Sequence, residues 1–230
     1  VFDLDSVGLI RLAAALNRLG HEVHVFTRMA PSQRYHDWID GVHYHRCVYP
    51  AHREIVDDAN NMCRAMVERL YVVEDMVGHF DIVHAHDWLT ANAMIWIKQG
   101  RGHKGIFTVH STEYARCGNA FHNGRSHRIR FQERAGTHWA DNVICVSRAT
   151  RDEVKWMYET PESKTRVVYN GVSSHRFDID FDVGETRRQY GIGPMDPTVL
   201  FCGRLEWQKG PDILVEAIPF ILRYYGNAKF

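Results

Sequence analysis

The chain has 230 residues, 45% of them hydrophobic and 24% charged, with 28 basic against 28 acidic side chains and a formal net charge of zero. That is apolar material for one large domain or one and a half smaller ones. The charge balance gives no argument for nucleic acid as a partner, and no apolar run reaches the ~18 residues of a membrane span; peripheral membrane contact stays open.

Leu9, Leu12, Ala13, Leu16 and Leu19 form a helical stripe that Gly20 ends, and His21 to Thr27 follows as a strand. Residues 1–8 are short for a first strand plus its loop, so the molecule is expected to be longer at this end. Met29 to Asp40 reads as a polar loop, Gly41 to Val48 as a strand and Ile55 to Val77 as a long helix.

Two copies of one design come next, an apolar strand breaking into a histidine loop. Phe80 to His84 breaks at Ala85-His86-Asp87-Trp88; Gly105 to Val109 breaks at His110-Ser111-Thr112-Glu113. Trp88 to Gln99 is the helix between them. In open parallel sheets ligands collect at the carboxyl ends of strands, which marks these two loops as a site.

Ala115 to His127 is predicted as a mobile loop, Arg128 to Trp139 as a helix and Asp141 to Val146 as a strand. Ser147 caps a helix over Arg151 to Tyr158, and Arg166 to Tyr169 is the next strand. Strands alternating with helices of about a dozen residues predict βαβ units in a parallel, doubly wound sheet. A composition shift between Val172 and Asp182 divides the chain into residues 1–177 and 178–230. Beyond it come a short helix near Glu185 to Tyr190, a strand Thr198 to Cys202, the loop Gly203 to Gly210, a helix Pro211 to Tyr224, and Ala228 to Phe230 as the start of a further strand. The second domain is therefore expected to be incomplete.

Arg204 and Lys209 flank a strand-to-helix loop, where free N–H groups and the helix dipole would add to two cations in holding phosphate. A solvated loop with ordinary charges is the bland alternative, and the loop lacks the Gly-Lys-Ser/Thr ending of a P-loop. His110 follows an apolar strand and is either a site residue or structural. Asp87 beside Trp88 suits a sugar contact and equally a helix start. His43-Tyr44-His45-Arg46-Cys47 would put three ligand atoms on one strand face, but no fourth ligand is evident and a solvated or packed face is the favoured reading. Five scattered cysteines favour a reducing, cytoplasmic setting.

In order along the chain, Leu12 to Leu16 with Gly20-His21-Glu22-Val23, Val83-His84-Ala85-His86-Asp87-Trp88, Phe107-Thr108-Val109-His110, Ala140 to Ser147, Asn170-Gly171-Val172 with Phe177, and Gly203-Arg204 to Lys209-Gly210 resemble a retaining GT-B glycosyltransferase of the family 4 type, the group that includes glycogen and starch synthases. The resemblance implies an α/β fold of two Rossmann-like doubly wound domains facing a cleft, with acceptor on the N-terminal side and nucleotide-sugar on the C-terminal side. It implies transfer of a hexose, with retention, from a UDP-, ADP- or GDP-sugar to a hydroxyl acceptor such as a glucan. It puts His110 at the reacting centre, Arg204 and Lys209 on the donor diphosphate, Gly8 near the phosphates and Asp87 towards acceptor or sugar. No metal and no cofactor are implied, since the two cations take the metal's part.

Two departures stand out. Of the family's Gly-Gly loop only Val7-Gly8 remains, and its Glu-x7-Glu pair would lie beyond Phe230. These residues alone are not expected to turn over. The rival reading is a non-catalytic sugar- or nucleotide-binding module; a nicotinamide-dependent oxidoreductase is disfavoured because no Gly-x-Gly-x-x-Gly follows a strand.

Overall fold

The computed structural model describes residues 4–172, 174 and 177–230, with side chains from Leu9 onward. The chain divides into two compact units, Val1–Gly171 and Val172–Phe230, where a division after residue 177 was expected.

The first unit runs α1 (Leu4–Arg18), β1 (His24–Arg28), β2 (His36–Ile39), β3 (Val42–Cys47), α2 (Ile55–Val77), β4 (Ile82–His86), α3 (Asp87–Arg101), β5 (Lys104–Val109), α4 (Glu113–Arg116), α5 (Arg125–Trp139), β6 (Asn142–Cys145), α6 (Arg148–Tyr158) and β7 (Thr165–Val167). Its strands form two sheets, β1-β3-β2 and the wholly parallel β4-β5-β6-β7. This is the α/β, parallel-sheet plan that alternating strands and helices predict.

The parallel sheet is buried by its helices. Ala85, Phe107, Val109, Val143 and Cys145 from the strands pack with Ala91, Met94 and Ile95 of α3 and Val154 and Tyr158 of α6. Helix α5 comes so close that a Cβ on Gly136 would stand 2.8 Å from the Phe107 ring and 3.1 Å from the Ala91 Cβ. Glycine is what that approach requires. The long α2 buries Val56, Ala59, Met62, Cys63, Met66, Leu70 and Val73, an i, i+3/i+4 stripe. Two helix-end residues fall where the sequence puts them: Ser147 Oγ accepts from Thr150 N at 3.0 Å, and Gly20, with a φ of 93°, follows the end of α1.

Four expectations are corrected. First, β2 lies inside the predicted loop Met29–Asp40: Asp40 and Gly41 both have positive φ and close a two-residue hairpin onto β3. Asp-Gly between strands is the composition of such a turn. Second, β4 does not break at His84. It continues through His86 and passes straight into α3 at Asp87, whose φ of 55° makes the corner. Third, α4 and the first turn of α5 occupy parts of the segment 115–127 predicted as loop. Fourth, residues 4–8, assigned to a strand remnant and loop, belong to α1.

The second unit contains α7 (Val183–Gln189), capped by the Asp182 carboxylate, and α8 (Pro211–Leu222), with Pro211 in its first turn. Arg187 donates to the carbonyls of Gly193 and Asp196, and Asp196 accepts from the Gly193 amide and the Asn227 side chain, tying the turn that precedes Thr198. The predicted strand Thr198–Cys202 is a single parallel bridge, Thr198 to Lys229, flanked by two backbone hydrogen bonds. The βα connection is present; the ladder is not.

Candidate functional site

The carboxyl ends of β4 and β5 hold a line of imidazoles. Register sets His86 beside Thr108, and the period of two puts His84, His86, Thr108 and His110 on one face. His84 and His86 stack with ring centroids 4.3 Å apart, His84 Nε2 lies 2.7 Å from Thr108 Oγ1, and His86 Nδ1 lies 3.1 Å from His110 Nε2. Burial, then the neighbouring imidazoles, push His84 down to about 4 and His86 to about 3. Both rings are neutral near pH 7, so the His86–His110 contact is a hydrogen bond between imidazoles and not a repulsion between cations.

Asp87 and His110, predicted from separate loops, meet. The Asp87 carboxylate accepts from the His110 backbone N–H at 2.8 Å. The corner behind Asp87 is stitched by Thr90, whose hydroxyl accepts from His86 N at 2.9 Å and donates to His86 O at 2.8 Å. Asp87 also contributes to the field that holds the Arg116 guanidinium charged.

Arg116 and Glu133 are functional-site support that the sequence reading missed. Arg116 donates to Ser111 O at 2.8 Å, to Ser111 Oγ at 2.9 Å and to Glu133 at 2.5 Å. Glu133, 1% exposed on α5, accepts in addition from the Glu113 amide and the Tyr158 hydroxyl. Burial pushes its carboxyl up, and Arg116, Tyr158 and the amide pull the other way. The segment after His110 is thus held from below by one buried carboxylate. The available signal was a charged residue, Glu133, in the middle of a helix that must pack on a sheet.

In the second unit Arg204 and Lys209 are both exposed, within a loop that a 3-10 turn (Trp207–Lys209) tightens before Gly210 and α8. Arg204 Nη1 pairs with Glu206 at 3.2 Å, an exposed contact that costs little to give up. The loop leads straight into a helix N-terminus of twelve residues, the geometry in which anions are held. Gly8 lies within α1, and its surroundings fall outside the described residues. Among the described residues no helix is long and apolar enough to cross a membrane.

The chain is similar in sequence and in fold to known glycosyltransferases. An uncharacterized glycosyltransferase of Methanocaldococcus jannaschii is 34% identical over 221 residues, covering 95% of this chain and 55% of that protein. The chain therefore spans about half the length of such a relative. Among solved structures, sucrose-phosphate synthase from Thermosynechococcus elongatus matches 95% of this chain and 55% of its own with a TM-score of 0.75 at 20% identity. The starch synthase IV catalytic domain of Arabidopsis thaliana, bound to ADP and acarbose, matches 95% of this chain and 62% of its own with a TM-score of 0.68 at 16% identity. These two likenesses are of fold, the GT-B type. The sequence profile of glycosyltransferase family 4 matches residues 6–176, about three quarters of the chain, and to that family the chain belongs.

Proposed function

We propose that the protein transfers a hexose, with retention of anomeric configuration, from a nucleoside diphosphate sugar to a hydroxyl acceptor of the glucan kind. In this reading His110 stands at the reacting centre, and Arg204 and Lys209 grip the donor's diphosphate. Negative charge develops on the departing nucleoside diphosphate, which is where two cations and a helix N-terminus are worth most. Asp87 acts on the acceptor side while fixing the His110 backbone, and Gly8 belongs near the phosphates. Five scattered cysteines, an odd number, are in keeping with a reducing, cytoplasmic setting.

The observation that carries the reading is His110 at the carboxyl end of a buried parallel strand, held by Asp87 through its backbone and by His86 through its ring. ADP in the starch synthase neighbour favours a nucleotide-linked donor. The test is a screen of the full-length protein with UDP-, ADP- and GDP-glucose against a maltooligosaccharide acceptor, with the product anomer read by proton NMR. Turnover with retention that Lys209→Ala reduces by ~100-fold or more supports the assignment. Donor binding without turnover points to the rival, a non-catalytic sugar- or nucleotide-binding module.

A further inference from the structure

The sheet β1-β3-β2 carries a second histidine cluster, away from the imidazoles of β4 and β5. Glu22, His24 and Phe26 alternate along β1 and the residues leading into it, and His43 and His45 alternate along β3, so each set shares one face. Parallel register sets His24 beside His43 and Phe26 beside His45. The antiparallel β2 then sets Trp38 beside His43 and His36 beside His45. Four imidazoles therefore form a staggered group across the three strands, His24 beside His43 in one row and His45 beside His36 in the next. His24 stacks on His43 at 4.6 Å, and His36 on His43 at 5.4 Å.

The donor atoms converge. His24 Nε2 lies 2.9 Å from Glu22 Oε1, His36 Nε2 lies 3.2 Å from His43 Nδ1, and the ligand atoms of Glu22, His24 and His43 all fall within 4.8 Å of one another. In a tetrahedral site with metal–ligand bonds of ~2.0–2.1 Å, donors stand about 3.3 Å apart. Small rotations bring this set to that spacing.

We propose that Glu22, His24 and His43 bind one divalent first-row transition cation of the Zn2+ type. Imidazoles with a single carboxylate are the donor set for such a cation and a poor one for Mg2+ or Ca2+. His24 Nδ1 is 3.0 Å from His45 Nε2, so that its N–H donates to His45 while Nε2 faces the cation, the outer hydrogen bond that metal-bound histidines use. The site lies at the amino ends of the parallel pair β1-β3, not at the carboxyl ends where substrates collect. Its part is to brace β1 against β3, with no step of glycosyl transfer passing through it.

A second group, Glu74, His79 and His103, has similar spacing. There the carboxylate is already taken by Arg101 at 2.9 Å, by the Phe80 amide at 3.0 Å and by His103. Glu22 has no such cation: among the described residues its ion pair is with His24.

The experiment is calorimetric titration of chelator-treated full-length protein with ZnCl2, repeated with Co2+ while visible d–d absorption is followed. Wild type is expected to bind one Zn2+ per chain at this site, and His43→Ala to bind at least ~10-fold more weakly. Glu22 is 70% exposed, so Glu22→Gln disturbs no packing and is expected to weaken binding without changing the circular dichroism spectrum. His79→Ala is expected to bind as wild type does. Absence of Zn2+ binding by wild type overturns the proposal, and so does wild-type affinity in Glu22→Gln and His43→Ala. Loss of transfer activity plays no part in the readout, so this inference and the proposed function fail separately.

Discussion

The ring of His86 reaches that of His110, Nδ1 to Nε2, at 3.1 Å, while the carboxylate of the adjoining Asp87 holds the His110 backbone N–H at 2.8 Å. Two consecutive residues at the end of β4 therefore fix both the main chain and the side chain of one residue at the end of β5. Under the proposed function, in which His110 stands at the reacting centre, His86 acts through His110 and is a positioning residue. Replacing it by phenylalanine keeps a ring in the stack and removes the hydrogen bond. His86→Phe in the full-length enzyme is expected to lower kcat about tenfold, the worth of one such bond, with the KM for the donor unchanged. His86→Gln, which restores a partner atom, is expected to recover part of the loss. A change in donor KM alone would argue that the residue binds and does not position.

Glu133 is a buried carboxylate serving Arg116, Tyr158 and the Glu113 amide together. Removing it takes one of two carboxylates from the partly buried Arg116, Glu113 remaining at 3.1 Å, and leaves the Tyr158 hydroxyl and the Glu113 amide without their acceptor, a change that costs about 1–3 kcal/mol. Glu133→Leu is expected to lower unfolding stability by that order in urea denaturation, and Glu133→Gln, which keeps an acceptor oxygen, by clearly less. Equal losses in the two variants would mean that shape and not the charge pair matters here.

Burial lowers His84 to about 4 and His86 to about 3 from the ordinary 6.5. In the unfolded chain both take protons as pH falls through 6.5, and in the native protein neither does until pH 4 or below. The unfolded state thus binds more protons throughout that window, and stability rises with pH across it and is lost as pH falls. The combined effect between pH 7 and pH 5 is on the order of 2–4 kcal/mol. Urea midpoints measured at both pH values are expected to show the drop, and His84→Phe is expected to show a smaller one. A variant with the full wild-type drop would contradict this origin.

Gly136→Ala pits two effects against each other. Alanine favours the helix by ~0.5–1 kcal/mol, whereas its methyl would meet the Phe107 ring at 2.8 Å inside a core where that ring is fully buried. Overpacking of this kind costs about 1–3 kcal/mol and is expected to prevail, leaving a net loss of about 1 kcal/mol or more. Chemical denaturation decides the sign; a stabilised variant would show that α5 can lift off the sheet cheaply.

Much of the architecture was local and therefore legible in the sequence. The stripe of α2 predicts Ile55–Val77, the bounds observed, because 3.6-residue periodicity is a property of the segment itself. Ser147 and Gly20 mark helix ends by chemistry that involves only their neighbours. His110 and the Arg204–Lys209 loop were visible as polar residues closing apolar strands. The hairpin at Asp40-Gly41 was also legible and went unread because the strand it closes, His36–Ile39, is polar.

Other features belonged to tertiary structure alone. That β4 extends through His86 depends on Thr108 being there to pair with it, and that Asp87 holds His110 depends on the register of β4 against β5. Glu133 gains its meaning from Arg116 and Tyr158, 17 and 25 residues away. The four imidazoles of β1, β2 and β3 converge only when a parallel and an antiparallel pairing are laid side by side. Periodicity specifies which face a side chain occupies. Which distant side chain stands opposite is decided by strand order and register, and those are set by the packing of the whole unit.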